Sequence, residues 1–160
     1  MPLRLLAFAA VSGRAAFVFF VANKLRDWAI SPTAAESPDR AVAWVAGQVE
    51  ELGAEVIVTE RTDFAYQKGD PAKAMIDAVA RLAEDNRQLL DARVRRERPY
   101  ANKYEEAQAI AAIYPELTPW LCDKRPFHKH EPANMVLFEA MALALEIIRD
   151  PTRSLAAAMG

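Results

Sequence analysis

Cysteine is almost missing from this 160-residue chain. Cys122 stands alone, so no internal disulfide can staple the fold, and a reducing compartment such as the cytoplasm is the expected setting. Glycine is scarce as well, with five in the chain, and none of them falls in the spacing of a phosphate-binding loop. Neither sign of charge dominates: 20 Lys and Arg stand against 22 Asp and Glu, a net charge of −2. That balance excludes a strongly basic protein that coats nucleic acid by charge alone, while leaving room for a local basic face. No apolar run is of membrane-spanning length. The nearest approach, residues 1–22, is interrupted by Ser12-Gly13-Arg14, and an arginine at mid-membrane costs at least ~2.5 kcal/mol. Each half of that run is about eight residues, the length of a strand and not of a span. A β-hairpin is therefore expected there instead of a leader or an anchor, and no membrane partner. Internal repeats and low-complexity segments are absent.

What is present is a steady alternation of elements. More than half of the residues are hydrophobic, and a chain of this length buries roughly two-thirds of its unfolded surface. A single domain over residues 1–160 is expected. Leu3 to Val11 and Arg14 to Ala22 read as paired strands joined at Ser12-Gly13. A second turn at Asn23-Lys24 leads to a third strand, Leu25 to Ile30. Ser37-Pro38 has the form of a capped helix start, Ala41, Val42, Val45, Val49 and Leu52 make its apolar stripe, and Gly53 stops it. Glu55 to Glu60 is a short β-branched strand between helices, the mark of a central parallel strand covered on both faces. Asp70-Pro71 opens the next helix, Gln88 to Arg95 is a fifth strand, and Asn102 to Tyr114 a third helix. A charged loop, Trp120 to Glu131, precedes a last helix that starts at Pro132, runs to about Arg149 and is closed by Pro151. The expected fold is α/β: a five-stranded mixed sheet, three antiparallel strands then two parallel, with helices on both faces.

Two acidic residues stand out. Glu139 lies in the middle of Met135 to Ile148, a stretch apolar almost all the way round. A carboxylate buried there must be paired, hydrogen-bonded, protonated or metal-bound. Pairing with an arginine or placement at a sheet edge is the commoner outcome; a catalytic or metal-binding role is the other. Glu60 ends the strand Val56-Ile57-Val58-Thr59, and ligands collect at that end of parallel strands. A solvated loop carboxylate beside Arg61 and Asp63 fits equally well. Two basic clusters follow: Arg93, Arg95, Arg96 and Arg98 ahead of Tyr100 and Lys103, and Lys124, Arg125, His128, Lys129 and His130 around Phe127. Basic residues beside an aromatic suit phosphate contact with base stacking, although Glu97, Asp123 and Glu131 dilute both clusters. Cys122, His128 and His130 match no standard zinc spacing, and a nucleophilic thiol needs an exposure that sequence does not supply.

The order of elements resembles the ribonuclease H-like superfamily, and within it the RuvC-type Holliday-junction resolvases, over about Leu3 to Ile148. Leu5-Leu6-Ala7-Phe8-Ala9-Ala10-Val11 and Ala16-Phe17 occupy the places of that family's Asp-Pro-Gly strand and Gly-Tyr hairpin arm. Glu60 matches the carboxylate that ends its fourth strand. Ala101-Asn102-Lys103, followed by Glu105-Glu106-Ala107, is similar to its Ala and Lys ahead of a helix. Glu139 through Leu145 resembles its final helix, with Glu in place of Asp.

The resemblance implies an Mg²⁺-dependent nuclease working as a homodimer on branched DNA, with two ions held by carboxylates of the first strand, the fourth strand and the last helix. The sequence departs from that pattern. The first-strand acid position is Ala9, and the acid one turn ahead of the helix carboxylate falls at Val136. Glu60 and Glu139 remain as the candidate catalytic and metal-binding residues, and two carboxylates hold one Mg²⁺ weakly. A degenerate nuclease that binds nucleic acid is the leading expectation, with Arg93, Arg95, Arg96, Lys103, Lys124 and Arg125 as its contacts. One rival is an active nuclease with a third acid, Asp63, Asp91 or Glu131. The other is a protein-interaction module that uses Phe17, Phe19 and Phe20 as an exposed interface.

Overall fold

The computed structural model of the chain describes residues 2–64, 68–96, 102–122 and 132–159. Its elements are β1 (Arg4–Val11), β2 (Arg14–Val21), β3 (Lys24–Ser31), α1 (Pro38–Leu52), β4 (Val56–Glu60), α2 (Asp70–Glu84), β5 (Leu90–Val94), α3 (Lys103–Ile113), α4 (Met135–Ile148) and α5 (Pro151–Met159). The strands form one sheet in the order β3-β2-β1-β4-β5. β1–β2 and β2–β3 pair antiparallel, whereas β1–β4 and β4–β5 pair parallel. This is the five-stranded mixed sheet expected from the sequence.

The apolar runs of β1 and β2 are continuous because both faces of the sheet are covered. Side chains alternate across a strand. Leu5, Ala7 and Ala9 of β1, with Ala16, Val18 and Phe20 of β2, join the core built on α4 and α3. Leu6, Phe8 and Ala10, with Ala15, Phe17 and Phe19, join the core under α1 and α2. β4 is buried along its whole length. α1 starts where the Ser37 side chain accepts from the Arg40 amide at 3.1 Å, and it ends at Gly53, whose φ of 70° favours glycine.

Three expectations need correction. Phe17, Phe19 and Phe20 are not an exposed interface: all three are buried, Phe17 edge-on to Trp44 and Phe20 edge-on to Tyr114. A hairpin sandwiched between two helical layers is apolar on both sides for that reason. Pro151 ends one helix but also opens another, α5, whose Leu155 and Ala158 pack on the α4 side of the core; proline at a first helical turn loses no hydrogen bond. Pro132 precedes α4 by a turn, its carbonyl accepting from the Met135 amide at 3.1 Å.

Candidate functional site: a carboxylate pocket filled by cations

Glu60 is the last residue of β4 and shares side-chain parity with Val56 and Val58, which belong to the α4-side core. Glu139 sits in the second turn of α4, 5% exposed. Both carboxylates thus belong to the layer between sheet and α4, at the C-terminal ends of β1 and β4. Lys68, two residues ahead of α2, brings its ammonium group to the same place. Its Nζ donates to the Ala10 carbonyl at 2.8 Å and to Glu139 Oε2 at 3.0 Å, and lies 4.0 Å from Glu60 Oε1.

Two further cations reach Glu139 from the segment joining β5 to α3. Arg96 Nη1 and Lys103 Nζ each lie 3.7 Å from Glu139 Oε1. Arg96, with a side chain only 2% exposed, also donates through Nη2 to Glu106 in the first turn of α3. The N-terminus of that helix is held by Asn102, whose side chain accepts from the Tyr104 and Glu105 amides at 3.0 Å. Among the described residues, Lys68, Arg96 and Lys103 are the cations set against Glu60, Glu106 and Glu139. Such compensation is what permits charge at this depth, since an unpaired buried ion costs several kcal/mol.

Burial alone would raise the Glu139 pKa. The Lys68 and Lys103 charges, the Lys68 hydrogen bond and the Arg96 charge outweigh it and hold the group below its ordinary value of 4.5. A carboxylate depressed in the folded state stabilises the protein above its unfolded pKa, and that contribution is lost as pH falls through the folded value. The stability advantage of the natural chain over Glu139→Gln is expected to stay constant from pH 8 to about pH 6 and to shrink below about pH 4.5. Urea unfolding of both proteins across that range checks it; an advantage that grows on acidification would contradict the assignment.

The pocket does not fit a two-ion centre. Hard divalent cations need several converging oxygen ligands. Ala9 and Val136 supply none, and Glu139 Oε2 and the Ala10 carbonyl already accept from Lys68. Among the described residues no group of three or more His, Cys, Asp and Glu is placed to hold a metal ion. The acids considered as a third ligand are engaged elsewhere: Asp63 pairs with Arg61, and Asp91 with Arg93. Glu131 lies outside the described residues.

The basic residues divide. Arg95 is exposed. Arg93, part-exposed, pairs with Asp91 and with Glu84 at 2.9 Å. Arg96, expected as a nucleic-acid contact, is instead inside the protein, paired with the buried Glu106 and Glu139. Lys124, Arg125, His128 and His130 lie outside the described residues, as do Arg98 and Tyr100. Cys122 is half-buried. Sequence reasoning passed over Lys68 and Glu106. The one signal for Glu106 was an acid in the first turn of a capped helix, which usually means no more than a favourable dipole contact; nothing local marks Lys68.

No family model matches this sequence, and no curated protein matches it in sequence. Solved structures do match it in three dimensions. Thermus thermophilus RuvC in complex with a Holliday junction substrate superposes with a TM-score of 0.58 at 18% identity, covering 99% of this chain and 96% of that one. A second Thermus thermophilus RuvC structure gives a TM-score of 0.59 at 16% identity, covering 96% and 98%. The chain therefore has the fold of these RuvC structures, a ribonuclease H-like mixed sheet with helices on both faces, over nearly the full length of both chains.

Proposed function

We propose that this RuvC-type domain binds branched or structured DNA without cleaving it by two-metal chemistry. The observation that carries this reading is the Lys68 ammonium seated against Glu139 and Glu60, the position where the resemblance would place a metal ion. Support for the ligand comes from the likeness to a RuvC bound to a Holliday junction, from the exposed Arg95, next in sequence to Arg96, and from the partly exposed Lys103 beside Glu139. A homodimer belongs to the same reading, and light scattering on the purified protein tests it; a clean monomer at high concentration would count against it. Among the described residues no helix is long and apolar enough to cross a membrane.

Purified protein given Mg²⁺ or Mn²⁺ with four-way and single-stranded DNA is expected to show no metal-dependent cleavage. Robust cleavage abolished by Glu60→Gln would overturn the proposal. Four-way junction binding is expected to weaken steeply with salt. Arg95→Glu is expected to lower both the affinity and the salt slope, the slope by ~0.9 for each duplex phosphate no longer neutralised. Arg95 is the suitable probe because it is exposed; Arg96→Glu would disrupt the buried ion pairs instead.

A further inference from the structure

β5 closes one end of the sheet, so one side of it meets no strand. The Leu90 amide donates to the Glu55 carbonyl at 2.9 Å, and the Val94 carbonyl accepts from the Arg61 amide at 2.8 Å. The even-numbered residues of β5 thus bond inward to β4. Asp91 and Arg93 turn their N–H and C=O groups outward, and among the described residues no hydrogen bond is made to those groups. An open edge of this kind is a template for another strand, and proteins often cover it with a helix. α5 does that here. Its Ala157 and Ala158 share a hollow of about 420 Å³ with Asp77 and Ala80 of α2. Ala158 and Met159 share another, of about 510 Å³, with Leu90 and Arg93. Contact with residues from both faces of the sheet sets the helix along the β5 edge. The cover is light. None of its nine residues is buried, and a helix that short is marginal on its own. Leu90 and Met159, 40% and 48% exposed, stand together at the second hollow.

We infer that the β5 edge pairs antiparallel with the β5 edge of a second copy of this chain once α5 swings aside, in the register centred on Ala92. The strand is complementary to itself in that register. Leu90-Asp91-Ala92-Arg93-Val94 set against its own reverse places Asp91 opposite the partner's Arg93, Arg93 opposite the partner's Asp91, and Leu90 opposite the partner's Val94. Asp91 and Arg93 are also the outward-bonding residues. Each facing pair therefore exchanges both of its N–H to C=O bonds while opposite charges lie side by side on one face. Moving the register by two residues sets Asp91 against Asp91 or Arg93 against Arg93. Moving it by one brings unlike faces of the two sheets together. Only Arg149 and Asp150 join α4 to α5, so the cover can turn away without unwinding α4. The inference is independent of the DNA-binding reading.

The full chain carrying Leu155→Glu and Ala158→Glu, which put charge where α5 packs on the core, tests this by sedimentation equilibrium. Faster tryptic cleavage at Arg153 reports that the helix has left. This detached parent is expected to double in mass relative to the natural chain as concentration rises. Adding Asp91→Arg gives a strand with arginine at both positions, and adding Arg93→Asp gives one with aspartate at both. Each is expected to raise the dissociation constant about tenfold, as the facing pairs turn from attraction to repulsion. An equimolar mixture of the two is expected to associate at the parent's strength, because unlike strands then face each other. Should either variant fold poorly, the exchange of both residues in one chain, Asp91→Arg with Arg93→Asp, keeps the composition. That chain is expected to pair with itself and not with the detached parent. No association on release of α5, association indifferent to the charge changes, or free mixing of the exchanged chain with the parent would overturn the inference.

Discussion

Glu139→Ala is expected to lower the unfolding free energy by roughly 3–5 kcal/mol, the usual result of removing one partner from a buried ion pair. That is a large share of the ~5–15 kcal/mol a domain typically has. The loss comes less from the interactions of Glu139 than from what it leaves behind. Lys68 Nζ would keep one hydrogen bond, to the Ala10 carbonyl, and a distant Glu60. Among the described residues, Arg96 would keep Glu106 alone as its counter-charge. The double replacement Lys68→Met with Glu139→Leu removes both desolvated charges and fills the volume with apolar groups, so it is expected to recover most of the loss. Non-additivity of that kind is what direct contact produces. Urea denaturation of the single and double variants, with unchanged m-values, measures it; strictly additive effects would mean that Lys68 and Glu139 are not coupled.

The second large effect concerns divalent cations. Ala9 lies on the α4 side of β1, and continuing the Ala7–Val58 register by two residues sets it level with Glu60. Ala9→Asp combined with Lys68→Ala therefore brings a third carboxylate to Glu60 and Glu139 while removing the ammonium from between them. Three converging carboxylates are a sound ligand set for Mn²⁺ where two are a weak one. Saturating Mn²⁺ is expected to stabilise the double variant, by about 2.7 kcal/mol at a hundred times its dissociation constant. The natural chain is expected not to respond. Ala9→Asp alone is expected to bind no ion, because Lys68 remains as the counter-charge. Equal stabilisation of the natural chain by Mn²⁺ would show that Lys68 does not exclude the cation.

Both experiments address a feature that local pattern could not reveal. Lys68 and Glu139 are 71 residues apart, and Lys68 and the Ala10 carbonyl 58. A lysine between Gln67 and Gly69 looks like an ordinary solvated loop residue. The exposed reading of Phe17, Phe19 and Phe20 failed for a related reason: a continuous apolar strand does not say by itself whether its second face meets solvent, a partner or its own helices. α5 was missed because a short, Ala-rich segment after a proline has too little pattern to separate it from a tail.

Sequence by itself determined the alternation of strands and helices, the caps of α1, the mixed five-stranded sheet and the burial of Glu139. Each of these depends on periodicity or turn chemistry within a few residues. Tertiary structure alone decided which charges meet. The partners of Glu60 and Glu139 come from the loop before α2 and the segment after β5, and only folding brings those distant segments to the same end of the sheet, where desolvation makes the pairing of Lys68, Arg96 and Lys103 with these acids obligatory.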